Sequence, residues 1–507
     1  MRYLDLRILV PALVLSVSLV LIASAADEST EPDLAPATKE ESPKAESSKA
    51  ESSKTEKAKT ESDDEPEAEP TNKVAKEFKR IKTRLQSQIR SKTADISVPA
   101  VEEITKYPCF EAGKFLFSQG KDLPCHDARQ AALVGMLGLI NEDGVRPMVM
   151  RAAESMLKPL SGKSGKPSSD AVYALVILLA GPDDGLDSET QALMDKLEAS
   201  PGWPALFIPM ADMLGPVGGP QAAAVLRKLT KTTNFAGDFG FRRAVVQNLG
   251  IVKQKDAIST LIELLDSTRG QIHADILGYL KAISFEKYNK KHEWLRWWEE
   301  EKDRFEFPDP EEMMLKPQVV LAAGPGVVGA AGQGPNYYGL PLYGSRMVFV
   351  MDTSGSMRGP RIDAAKRELM KALSELPDGI HFNVLVFDVN VRPWQKVMTL
   401  STPESRTDAA AYIFRQELGN GTASSDALDA AMKFDTEAIF FVTDGVPFGG
   451  RIPQPARIVQ EVTKTNRRRR ISVHTIGIGA GMIGSDMDVF LATLAGQNWG
   501  AYRRVDE

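Results

Sequence analysis

The chain has 507 residues, room for about three domains at roughly 150 residues each. Apolar residues make up 43% and charged residues 26%, which excludes both a polytopic membrane protein and a wholly disordered chain. The 62 basic and 68 acidic side chains leave a charge of −6, concentrated in residues 27–72, where 15 acids face 6 bases; the rest lacks the basic footprint of a nucleic-acid binder, and five histidines and two cysteines leave little material for a zinc or thiol enzyme.

Arg2 and Arg7 precede an apolar run from Ile8 to Ala23, and Ala23-Ser24-Ala25 fits a small-residue cleavage site. That pattern is an export signal over residues 1–25. An uncleaved anchor is the alternative, and only then does the chain touch a membrane. Either way the body is expected outside the cytoplasm: periplasmic, on the cell surface or secreted. Residues 26–72 are low-complexity Lys, Glu, Ser and Ala with one large apolar side chain, Leu34, so nothing offsets the entropy of ordering them. A solvated spacer is expected.

From Lys73 the texture changes. Val74, Phe78, Ile81, Leu85 and Ile89 recur at helical spacing between Lys76, Lys79, Arg80, Lys82 and Arg84. Such a basic amphipathic helix lies on a membrane surface or caps the domain that follows, and the cap is the preferred reading. Helices are then predicted near 127–140, 145–157, 170–180, 188–198, 203–214, 219–229, 239–251, 255–266, 270–284 and 291–302. First helices of successive pairs are about 31–43 residues apart, the range of helical-hairpin repeats. Ala244 and Gly250 would let neighbouring helices approach closely. Residues 73–307 thus resemble degenerate HEAT-like repeats, which implies an α-solenoid presenting a surface to partners. Trp294, Trp297 and Trp298 form a stripe read as its buried cap.

Cys109 and Cys125 enclose a short loop, and in an exported chain a disulfide is expected. Gly162-Lys163-Ser164 lacks the preceding glycine and strand of a phosphate loop. Residues 308–344 read as a Pro/Gly-rich linker. Gly324-Pro-Gly326-Val-Val-Gly329 formally matches a dinucleotide loop, but no helix can begin there to receive a pyrophosphate. His126, His273, His292, His381 and His474 are scattered and converge on no catalytic motif.

Beyond residue 345 apolar runs alternate with amphipathic segments. Strands are predicted at 347–351, 382–387, 396–400, 439–442, 471–476 and 500–505, with helices near 361–376, 405–418, 425–433, 454–466 and 486–495. The pattern argues a doubly wound, mostly parallel sheet. Arg467–Arg470 read as a solvated loop beside a helix C-terminus. Asp352 and Asp444 each stand just past a strongly apolar run, where open α/β sheets place their ligands. Left alone these carboxylates repel, so a cation between them is the natural resolution. Ser354 and Ser356 follow the first in a turn eased by Gly355, and Asn420-Gly421-Thr422 offers a further hydroxyl. Carboxylates and hydroxyls without soft ligands suit a hard ion.

The set Asp352, Ser354, Ser356, Thr422 and Asp444 resembles the metal-ion-dependent adhesion site of the von Willebrand factor A domain. Its Asp-x-Ser-x-Ser, separate threonine and Thr-Asp-Gly aspartate fall on those positions. Arg361-Ile362 through Lys366, Ile476-Gly477-Ile478-Gly479 and Ala501-Tyr502 agree as well. One departure is Asn420, where many members carry glycine. The resemblance implies a Rossmann-like fold over 345–507. It implies Mg²⁺ at the site, with Mn²⁺ or Ca²⁺ as alternatives, and a partner protein offering Asp or Glu to the ion. The whole reads as multidomain: an α-helical repeat, then the α/β sheet. Its expected role is an exported bacterial adaptor and not an enzyme. A passive scaffold with a structural metal site is the alternative, and a metal-dependent hydrolase is disfavoured because no general base accompanies the ligands.

Overall fold

The computed structural model describes residues 70–157, 167–180, 186–200, 203–308, 335–479 and 483–505. The export signal, most of the spacer, both glycine-rich motifs and most of the second linker therefore lie outside the described residues. Among the described residues no helix is long and apolar enough to cross a membrane.

The first part is all helix: α1 Pro70–Ile89, α2 Ala94–Thr105, α3 Phe110–Gln119, α4 His126–Gly138, α5 Val145–Glu154, α6 Ser169–Leu179, α7 Ser188–Glu198, α8 Trp203–Val217, α9 Gly219–Leu229, α10 Thr233–Gly237, α11 Phe239–Ile251, α12 Lys255–Leu264, α13 Gly270–Ser284 and α14 Lys291–Glu301. One continuous core runs from Phe78 to Trp298. The cap reading of α1 holds, since Phe78, Leu85 and Ile89 are all buried. Ser168 and Asp187 cap α6 and α7 by accepting from backbone N–H groups in the first turn. Gly250 lets α11 approach α13, because a Cβ there would lie 3.0 Å from the Tyr279 ring. Trp294, Trp297 and Trp298 are buried against Tyr288 and Phe305 and close the array.

Three helices, α2, α3 and the one-turn α10, fall outside the predicted ranges; Pro99 inside α2 makes that stretch look broken in sequence. Cys109 and Cys125 are free, buried thiols directly preceding α3 and α4. The expected disulfide is thus not formed, and the two thiols pack as small apolar side chains in the core.

The second part begins earlier than expected. A hairpin of β1 Asn336–Tyr337 and β2 Leu340–Pro341 lies inside the stretch read as linker and buries Tyr337 against Phe349 and Phe440. There follow β3 Arg346–Asp352, α15 Pro360–Ser374, β4 His381–Phe387, β5 Val391–Pro393, β6 Thr399–Leu400, α16 Pro403–Phe414, α17 Ser424–Met432, β7 Ala438–Thr443, α18 Pro455–Arg469, β8 Ser472–Ile478, α19 Asp486–Gly496 and β9 Tyr502–Val505. The sheet order is β5-β4-β3-β7-β8-β9, with β6 also on β4; β4, β3, β7, β8 and β9 are parallel and β5 and β6 antiparallel. Along β3, Met347, Phe349 and Met351 face α15 and α16, while Val348 and Val350 face α17 and α18. Burial on both faces explains why the strands read as unbroken apolar runs. An α-helical region followed by a doubly wound, mostly parallel sheet is therefore the architecture.

The two parts pack together at the N-terminal ends of the strands. Arg243 on α11 is 2% exposed and pairs with Asp275 on α13 at 2.6 Å while donating to the Arg470 carbonyl. Arg470 donates to Gln247 and Asp212 of the helical part. Trp499 lies beside both guanidinium groups, 5.9 and 5.1 Å from its ring. Glu437 accepts from the Gln271 and Ser345 backbone N–H groups, each at 3.0 Å. Gly240 passes so close to the last turn of α18 that a Cβ would stand 1.9 Å from the Arg468 carbonyl oxygen. The arginine run is thus no solvated loop. Arg467–Arg469 complete α18, and Arg470, left-handed at φ 54°, is buried in the joint.

Candidate functional site

The opposite ends of β3, β4 and β7 carry the acidic residues. Asp352 closes β3, Asp388 follows β4, and Asp444 follows β7; all three are buried. The parallel register sets Asp352 beside Phe387 and Met351 beside Val442, so the two sequence-predicted aspartates leave the sheet on adjacent strands.

Asp352 is held on both oxygens. Its Oδ1 accepts from the Ser354 N–H at 2.7 Å, and its Oδ2 accepts from the Thr443 hydroxyl at 2.6 Å. Burial, with Asp444 adding repulsion, pushes its pKa up to about 6 against the bonds from Thr443 and Ser354. Ser354 Oγ and Ser356 Oγ are 3.0 Å apart, and Ser356 donates to Asp444 Oδ1 at 2.7 Å. Arg361, on the first turn of α15, donates to Asp444 Oδ2 at 2.9 Å. The turn Thr353–Ser356 therefore brings two hydroxyls and two carboxylates together, as the two-residue spacing around Gly355 suggested.

Thr422 is positioned through its backbone. It exchanges both bonds with Phe448, at 2.7 and 3.0 Å, so its loop is tied to the loop after Asp444. A bond from the Gly419 N–H to the Thr353 carbonyl, 2.8 Å, ties the same loop to the first turn. The Asn420 departure does no harm here, because the left-handed φ of 71° falls on Gly421, and the Asn420 carbonyl accepts from Val389.

Asp388 was missed in the sequence. Its Oδ2 takes a bond from Arg392 at 2.8 Å, and its Oδ1 takes the Asn390 N–H at 2.7 Å. The carboxylate leaves no room for a Cβ at Gly419, which would stand 2.0 Å from Oδ2. Asp388 thus shapes the Thr422 loop. The signal that could have found it was the one that found the others: an acid directly after an apolar run.

Among the described residues no three His, Cys, Asp or Glu side chains converge as a metal cluster. An ion at this site would rest on Asp352, Asp444 and the Ser354, Ser356 and Thr422 hydroxyls. That all-oxygen set, with one buried carboxylate beside another, fits a hard divalent cation. The rim is apolar and open: Val389, Val446 and Phe448 are 52%, 43% and 77% exposed.

Residues 345–503 match a family model described as the von Willebrand factor type A domain. Over 172 residues the chain is 29% identical to the human inter-alpha-trypsin inhibitor heavy chain H2, covering 31% of this chain and 18% of that one. Over 182 residues it is 27% identical to heavy chain H3 of Mesocricetus auratus, covering 33% and 20%. The chain thus spans about a fifth of the length of these curated relatives. Among solved structures, a von Willebrand factor type A protein from Catenulispora acidiphila is 21% identical with a TM-score of 0.28, covering 32% of this chain and 38% of that one.

Proposed function

We propose, from the premise that residues 345–503 form a von Willebrand factor type A domain, that the chain is an exported, non-enzymatic adaptor. It binds a partner protein through a divalent ion, Mg²⁺ first, held by Asp352, Ser354, Ser356, Thr422 and Asp444. The observation that carries this reading is the run of bonds from Ser354 through Ser356 to Asp444, set against the buried Asp352 at the C-terminal edge of the sheet. When bound, the ion supplies a coordination position for a partner carboxylate. The chain's own residues do the rest. Thr443 and the Ser354 N–H hold Asp352 in place. The exposed Val389, Val446 and Phe448 offer apolar contact beside the site.

A passive scaffold is the second reading, favoured by one contact. Arg361 already sets a cation against Asp444 at 2.9 Å, so that the site could be a latch between three loops. Partner capture on the immobilised full chain separates the two. The adaptor reading expects capture in Mg²⁺, release in chelator and no capture by Asp352→Asn. Equal capture in Mg²⁺ and chelator, or by wild type and Asp352→Asn, contradicts it.

A further inference from the structure

The polar face of α1 is not spread evenly into solvent. With its apolar side packed inward, α1 and α3 enclose a groove of about 380 Å³ lined by Lys79, Lys82, Arg90 and Lys114. Glu111 is the one carboxylate among the lining residues. Lys82 is half-buried, with its ammonium 5.0 Å from the centre of the half-buried Phe115 ring. Four cations thus crowd around one acid at the start of the helical array, in a body whose overall charge is near neutral. An insertion of α1 into a membrane is not what this face serves, because Phe78, Leu85 and Ile89 are turned into the core.

The complementary charge stands next in the chain. Residues 61–69 read Glu-Ser-Asp-Asp-Glu-Pro-Glu-Ala-Glu, six acids and no base, and α1 opens at Pro70. Lys79 and Lys82 lie about 14 and 18 Å along α1 from Pro70 at a rise of about 1.5 Å per residue. Nine residues span up to about 30 Å when extended, so the acids can fold back over both lysines and reach Lys114. Held on so short a tether, they meet the groove at an effective concentration in the millimolar range. An anionic surface would have to displace them and would be repelled by the same six acids.

We propose that residues 61–69 of this chain dock in the groove between α1 and α3, pairing their carboxylates with Lys79, Lys82 and Lys114. The inference is independent of the adhesion site. It revises the expectation of a wholly solvated spacer for residues 61–69, and it makes this segment an internal competitor of any other anion.

Zero-length carbodiimide coupling of the full chain tests it. The reagent joins a carboxylate to a lysine amine with loss of water, and mass spectrometry locates the links. Links from 61–69 to Lys114, 45 residues from Glu69, should exceed those to the exposed Lys196 at least fivefold at about 0.1 M salt and fall at 1 M, where screening shortens to about 3 Å. Reversing Lys79, Lys82 and Lys114 to Glu should abolish them, and lysines in place of the six acids on that background should restore coupling. Vesicles containing phosphatidylglycerol should be captured about tenfold more by a chain whose six acids are changed to Gln or Asn. Coupling to Lys114 no greater than to Lys196, no restoration by the swap, or equal vesicle capture by both chains overturns the proposal.

Discussion

The two edges of the α/β sheet are built from the same materials and handle charge differently. At the N-terminal edge each of these buried charges meets a counter-group: Arg470 with Asp212 and Glu437 with the Gln271 N–H across the joint, Arg243 with Asp275 inside the helical part, and Glu437 again with the Ser345 N–H and Arg346 inside the sheet part. At the C-terminal edge three buried carboxylates, Asp352, Asp388 and Asp444, share a few hydroxyls and two cations, Arg361 and Arg392. The first arrangement is complete within the chain and fastens the two parts. The second is short of positive charge, as expected of a place that receives a ligand. At about 3.3 Å per residue, the seven residues of β3 put roughly 20 Å between the two edges. An alteration at one edge should therefore leave the other intact, and that separation can be tested.

The largest effect is expected at the joint. Arg243→Ala leaves the Arg470 carbonyl without its buried donor and Asp275 without its buried cation, with only Gln271 still donating to it, and should cost about 3–5 kcal/mol, seen in urea unfolding as a lower midpoint or a split into two transitions. A single unshifted transition would break the comparison. Gly240→Ala comes next. Its new methyl meets backbone, which cannot swing aside, so overpacking of about 1–3 kcal/mol is expected. Small-angle scattering should then show a more extended chain, while metal uptake is unchanged.

A smaller effect depends on pH. His474 on β8 stacks on Phe440 at 4.7 Å and accepts from the Ala501 N–H, and burial together with Arg243 lowers its pKa to about 3. Its folded value lies below its unfolded one, so the unfolded chain binds the proton first. The stability it contributes is complete above about 6.5 and is lost as pH falls towards 3. His474→Gln should flatten stability against pH in that window in urea titrations; an unchanged slope would remove the assignment. Smallest is Arg361→Ala at the other edge. Arg361 is 30% exposed, and its loss should cost about 1 kcal/mol without metal. Saturating Mg²⁺ should restore the loss in thermal unfolding.

How legible these edges were in the sequence differs in the same way. The C-terminal edge could be read because Asp352 and Asp444 each follow an apolar run and Ser354 and Ser356 sit within a few residues of Asp352; only Asp388 escaped, for want of a motif around it. Most helices of the array were legible from their 3.6-residue period and the Gly or Pro at their ends. The failures are local disguises: Pro99 within α2, a short α3 carrying Gly113, and a two-residue hairpin inside a glycine-rich stretch. The joint could not be read, because Arg243, Arg470 and Asp212 are far apart in the chain and become partners only after both parts fold. A run of four arginines looks solvated until an acid from another domain is placed beside it.

The central proposal is that the C-terminal edge of the sheet binds one hard divalent cation. Isothermal titration calorimetry of the full chain with MgCl₂, beside Asp352→Asn, tests it most directly. The account expects saturable uptake of one ion by the wild type and none by the variant, with both chains equally folded by circular dichroism. No heat from the wild type, or the same uptake by both, contradicts it.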